Sequence, residues 1–265
     1  MLLGCVGVGI GVALALGQGT SEKPGTPAAS GGLMMDPGTF AAGSAPILMY
    51  HAISEVPPGA ASPELFVAPE DFEAEMAWLA DQGFEAVTLG RLYDAWHGDG
   101  NVPARPVVIS FDDGLQSQFT EALPIMREFE WPAVLNLKVS SLDEGELTEA
   151  MVNRMIDAGW EIDSHTISHL DVTTLDGASL VREISESRTI LHERFGVPVD
   201  FFCYPAGQYD AEAVAAVRDA GYLGATTTTL GLASPAEDPY VLDRVRVDNS
   251  DGVTGLAATL GELGS

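Results

Sequence analysis

Short apolar segments recur along this chain with amphipathic helical stretches between them, and that alternation limits the possible folds more than any other feature. Pro46 to Tyr50, Ala86 to Leu89, Val107 to Phe111, Ala133 to Val139, Trp160 to Asp163, Val199 to Tyr204 and Val241 to Val247 read as strands. Helix faces show at Phe72, Met76 and Leu79, at Met151 and Met155, at Leu180, Ile184, Leu191 and Phe195, and at Val214 and Val217. Gly83, Gly159, Gly196 and Gly221 stand after these stretches, where a left-handed residue closes a helix before the next strand. Strand and helix in turn predict a parallel α/β architecture, with the methionine and phenylalanine stripes as its core.

The 265 residues, 46% hydrophobic and 19% charged, suffice for one such domain plus an extension. Met1 to Leu16 carries no charge, so residues 1–17 read as a signal peptide or an N-terminal membrane anchor, although a basic leading region is missing. Residues 18–44, rich in Gly, Pro, Ser, Thr and Ala, read as a flexible linker, and 45–265 as the folded domain. Export to the periplasm, cell envelope or exterior follows, with possible membrane attachment through the first segment. The two cysteines are Cys5 and Cys203, so the mature domain has no internal disulfide. With 12 basic against 39 acidic residues and a net charge of -27, the chain repels phosphate backbones, which excludes nucleic acid as a partner. A neutral or cationic polymer approaches more easily.

Ser110-Phe111-Asp112-Asp113-Gly114 follows an apolar strand and brings two carboxylates to its C-terminal end, the edge where β/α folds place reactive groups. Alone this is also an ordinary turn. Ser164-His165-Thr166-Ile167-Ser168-His169 follows another strand, and neutral imidazoles four residues apart are good metal ligands. A carboxylate and two imidazoles at two strand ends match the three-ligand open site of a hydrolytic metal centre. Phe201 to Tyr209 is an aromatic strand ending in Pro205, Ala206 and Gly207, able to place a backbone N–H. Leu242-Asp243-Arg244-Val245-Arg246-Val247 alternates, with arginines that are either surface groups or anchors for a carboxylate.

Phe-Asp-Asp-Gly, His-x-x-x-His and Tyr-Pro-x-Gly, in this order and at these separations, resemble the NodB-type polysaccharide deacetylases of carbohydrate esterase family four. Leu48 to Ile53 and Arg244-Val245 resemble the branch that deacetylates poly-N-acetylglucosamine. The resemblance implies a distorted (β/α)-barrel with fewer than eight regular strands. It also implies Asp112 as general base, Asp113, His165 and His169 as metal ligands, and the N–H of Ala206 as an oxyanion donor. Two departures stand out. Cys203 occupies a position where the family usually has arginine, so Arg244 is expected to orient the base. A late histidine, the usual general acid, is absent, since no histidine follows His192.

His192 lies on the polar side of a helix and His97 at a helix end, where capping or surface roles are the commoner reading. His51, at the end of the first strand, is left as the expected general acid by position, elimination and resemblance, with His97 as the alternative. The expected activity is hydrolysis of N-acetyl groups from an N-acetylglucosamine-containing polysaccharide by a monomer. Zinc is the first candidate metal, and cobalt, nickel or iron also suit mixed N/O ligands. Alternatives are a related hydrolase of acetyl esters or small cyclic amides, and a glycan-binding module without catalysis.

Overall fold

The computed structural model describes residues 40–265. The expected signal or anchor segment and most of the expected linker therefore lie outside the described residues. The barrel strands are β1 (Ile47–Tyr50), β2 (Pro106–Asp112), β3 (Val134–Leu137), β4 (Glu161–Ser164), β5 (Phe201–Cys203), β6 (Gly224–Leu230) and β7 (Leu242–Arg246). Each pairs in parallel with its neighbour in sequence, and β7 returns to β1, which itself pairs with β2, so the sheet closes. The barrel expected from the resemblance is thus present. A two-residue strand, Glu85–Ala86, extends the sheet beside β2 where Ala86 to Leu89 was expected. The apolar run ends early because Thr88 caps a helix, accepting from Arg91 N with its hydroxyl, and Leu89 is already helical.

The principal helices are α1 (Pro69–Asp81), α2 (Leu89–His97), α3 (Glu149–Asp157), α4 (Ser187–Phe195), α5 (Ala211–Asp219) and α6 (Gly252–Leu263). Gly83, Gly159, Gly196 and Gly221 all have positive φ after α1, α3, α4 and α5, as their placement in the sequence predicts. On α3 the buried pair is Val152 and Met155, while Met151 is half-buried.

Alternation along each strand sorts side chains between two cores. Leu48, Val107, Ile109, Phe111, Leu135, Ile162, Phe202 and Val245 face the helices; Phe111 stacks on Trp160 at 5.0 Å between ring centroids. Ile47, Val108, Val134, Phe201 and Leu242 belong to a separate cluster with Leu89 and Leu92 of α2. Helix α2 therefore plugs the N-terminal end of the barrel, and Glu161 at the start of β4 accepts from Gly90 N near the helix N-terminus with both carboxylate oxygens, at 3.0 and 3.2 Å. The other end of the interior is polar, with buried Ser110, Asp112, Asn136, His165, Cys203 and Arg244.

A candidate active site at the C-terminal mouth

Strand β2 delivers Asp112 into the barrel and then turns sharply, with Asp113 at φ 77° and Gly114 at φ 75°. Only glycine suits the second position, because a Cβ there would collide with the Leu137 side chain. The turn separates the two carboxylates. Asp112 is 2% exposed and takes a two-pronged contact from Arg244, Nη1 to Oδ1 and Nη2 to Oδ2, both at 2.8 Å. Asn136 of β3 donates to Oδ1 at 2.7 Å, and the Cys203 thiol lies 3.6 Å from Oδ2. Burial opposes ionisation of Asp112, yet the Arg244 guanidinium outweighs it and holds the carboxyl well below the usual carboxylate range. Arg244 is fully buried and is further fixed by Nε donating to Thr227 O at 2.7 Å.

Asp113 points instead toward the histidines. Its Oδ1 lies 3.5 Å from His165 Nε2 and 3.3 Å from His169 Nε2, and the three side chains offer their donor atoms within 4.8 Å of one another. His165 is buried, and its Nδ1 donates to Cys203 O at 2.7 Å, which leaves Nε2 as the free lone pair. Burial alone would lower the His165 pKa, but Cys203 and the carboxylates of Asp113 and Asp112 raise it well above the ordinary value. An anionic oxygen and two imidazoles converging there fit a divalent cation of the zinc class.

His51, directly after β1, places Nε2 3.9 Å from Asp112 Oδ2. Burial lowers its pKa, with Asp112 and Asp113 opposing. Gln118 ties the ends of β1 and β2 together, its Nε2 donating to His51 O at 3.0 Å and Asp112 O at 2.5 Å. A cavity of about 450 Å³ opens beside His51 and Asp113, lined by the apolar loop Pro57 to Ser62 with Leu65 and Phe66. His97 is exposed; its ring stacks on Tyr93 at 4.0 Å and its Nδ1 meets Tyr93 O at 2.8 Å, at the plugged end of the barrel and away from these groups.

Ala206 follows β5 in the left-handed region, at φ 51°, and Gly207 continues the turn at φ 70°. A Cβ on Gly207 would collide with the Thr228 side chain. Among the described residues, the non-glycine positions with positive φ are Asp113, Thr166, His169 and Ala206, all in this mouth, and Glu130 elsewhere. The structure thus brings Asp112, Asp113, His165, His169, Arg244 and His51 together, with Ala206 in the turn after β5 at the same end of the barrel, while His97, the alternative acid, lies apart. The sequence reading did not find Asn136, Gln118 or Glu183, the last of which bonds the loop carrying His169.

Comparison with known proteins agrees with the fold and the family resemblance. The polysaccharide deacetylase family pattern matches residues 99–225, which include Asp112, Asp113, His165, His169 and Ala206 but neither His51 nor Arg244. Bacillus subtilis YxkH, named as a polysaccharide deacetylase, is 32% identical over 213 residues, 80% of this chain and 74% of that protein. A poly-beta-1,6-N-acetyl-D-glucosamine N-deacetylase of Staphylococcus epidermidis is 23% identical over 198 residues, 69% of this chain and 68% of its own length. The solved structure of the Streptococcus pyogenes deacetylase PplD with acetate superposes with a TM-score of 0.77 at 25% identity, covering 82% of this chain and 98% of that one. On its barrel, its motif order and these relatives, the chain belongs to the polysaccharide deacetylase family and is an enzyme that deacetylates polysaccharide.

Proposed function

We propose that the enzyme hydrolyses N-acetyl groups of an N-acetylglucosamine-containing polysaccharide with the help of a divalent metal held by Asp113, His165 and His169. The observation that carries this reading is the separation of the two aspartates: Asp113 converges with two imidazoles, and Asp112 is locked to Arg244. The metal, with zinc the first candidate and cobalt, nickel or iron alternatives, supplies Lewis acidity toward the amide carbonyl and acidifies water.

The remaining work falls to the chain. Water adds to the acetamide carbonyl carbon while Asp112 accepts its proton. Arg244 and Asn136 hold Asp112 in orientation, and the Arg244 guanidinium favours its ionised form. The Ala206 N–H donates to the developing oxyanion, a contribution commonly on the order of 3 kcal/mol of barrier. His51 protonates the nitrogen as the C–N bond breaks, which yields acetate and a free amine. The likeness to a poly-beta-1,6-N-acetyl-D-glucosamine N-deacetylase favours that polymer class, and the chain's net charge of -27 favours a neutral glycan over an anionic one. The uncharged stretch Met1 to Leu16 supports action outside the cytoplasm. Among the described residues no helix is long and apolar enough to cross a membrane.

Acetate release from oligomers of poly-N-acetylglucosamine, chitin and peptidoglycan, with and without a chelator, tests this reading. Chelator-sensitive release from the first is expected; release only from O-acetyl esters would replace it.

A further inference from the structure

Two stretches of π-helix interrupt the helical layer, Gln118–Ala122 and Arg182–Glu186, and π-bulges are frequently kept at functional sites. The first carries Gln118, already placed between His51 and Asp112. The second carries Glu183, which is 4% exposed and belongs to no ligand set. Its Oε2 accepts from two consecutive amides, Ile167 N at 3.0 Å and Ser168 N at 2.8 Å, and its Oε1 accepts from Ser168 Oγ at 3.2 Å. These amides lie between Thr166 and His169, both held in the left-handed region at φ 67° and 57°. Adjacent amides converging on one carboxylate oxygen form charge-assisted bonds that fix a loop conformation it would not otherwise keep.

The two histidines of the candidate metal centre are secured differently. The His165 ring is fixed through Nδ1 by the Cys203 carbonyl. The His169 side chain is 36% exposed, and among the described residues its ring has a polar contact only with Asp113 Oδ1. A metal-binding imidazole is ordinarily oriented by a hydrogen bond to its other nitrogen. Where that bond is missing, orientation must come from the backbone, which two side chains hold: Thr166 Oγ1 accepts from His169 N at 2.8 Å within the loop, and Glu183 anchors the loop from outside it.

We propose that Glu183 is a positioning residue for the metal centre, shaping residues 166–169 so that His169 meets Asp113 and His165. This rests on the assignment of His169 as a ligand. Removing the carboxylate leaves two amides without an acceptor and frees Thr166 and His169 to leave the left-handed region. Glutamine keeps a carbonyl for the amides, and its NH2 meets a Ser168 hydroxyl that can turn to accept, so Glu183→Gln should restore part of the effect.

Zinc affinity, measured by competition with a chromophoric chelator, separates the possibilities in the wild type, Glu183→Ala, Glu183→Gln and His169→Ala. Thermal unfolding of the metal-free forms and acetate release at limiting and saturating zinc complete the set. Glu183→Ala is expected to bind zinc about 10–100-fold more weakly. Glu183→Gln should fall between it and the wild type, and excess zinc should restore acetate release to Glu183→Ala but not to His169→Ala. Wild-type zinc affinity in Glu183→Ala, even with a lowered melting temperature, overturns the proposal. Should that variant not fold, wild-type affinity in Glu183→Gln overturns it equally. Zinc held by His169→Ala as tightly as by the wild type removes the ligand assignment itself, whatever the Glu183 variants do.

Discussion

Asp112 and Asp113 are neighbours with different surroundings because a single left-handed turn hands one to Arg244 and the other to two histidines, and on the proposed reading they take different tasks. Asp112→Asn should therefore retain metal and lose most turnover, while Asp113→Asn should lose both. Metal content and acetate release on the two purified variants check this, and an empty site in Asp112→Asn alone would mean their roles are reversed. The same substitution leaves Arg244 buried without its counter-charge, so the melting temperature should fall as well. His51→Ala should lower kcat on an N-acetylated sugar by about 10²–10⁴, the range for one general acid–base group. An activated aryl acetate leaves without protonation, so the loss on that substrate should be far smaller. Equal losses on both would make His51 a positioning group. At this scale the residues of the candidate site were legible, because Asp-Asp-Gly and His-x-x-x-His stand at strand ends in the sequence. Asn136, Gln118 and Glu183 were not, since single polar residues carry no spacing signal and acquire partners only when the barrel closes.

Strands with apolar runs, β1 to β5 and β7, were visible in the sequence; of the barrel strands β6 was missed, as was the small pair Ala52–Ile53 and Phe66–Val67 outside the barrel. Gly224-Ala225-Thr226-Thr227-Thr228-Thr229-Leu230 has no apolar alternation; its signal is four successive β-branched threonines, which favour extended backbone. Helix α6 was hidden by Gly252, Gly255 and Gly261, poor helix formers that are overridden where Leu256, Ala257 and Leu260 are buried. Strand β6 also bears on the Ala206–Gly207 turn, because Thr228 fills the space above Gly207. Gly207→Ala should cost more than about 1 kcal/mol, from strain at φ 70° and collision with Thr228 together, and lower turnover with it. Adding Thr228→Gly should recover part of the loss. Denaturant midpoints read this directly, and an unchanged midpoint in Gly207→Ala would contradict the packing.

At the scale of the whole molecule, a chain of net charge -27 carries buried acids whose pKa is raised by burial. Glu75 on α1 is fully buried and accepts from Tyr50 Oη at 2.9 Å; burial pushes its pKa up to about 8. Such a carboxyl binds its proton more tightly folded than unfolded, so its contribution is complete below pH 4.5 and is lost as pH rises through about 8. Glu161, pushed up to about 7 by burial, acts in the same direction. Stability should therefore fall between about pH 5 and 9, and Glu75→Gln should flatten part of that slope in urea titrations. A wild-type slope in Glu75→Gln would show that Glu75 is ionised when folded. The central claim is that Asp113, His165 and His169 form one metal centre on which acetate release depends. Metal analysis paired with acetate release from a poly-N-acetylglucosamine oligomer tests it most directly, on the wild type, His165→Ala and His169→Ala. One divalent ion per wild-type chain is predicted, with occupancy and turnover lost together in both variants and turnover abolished reversibly by a chelator. Full occupancy with normal turnover in either variant would contradict it.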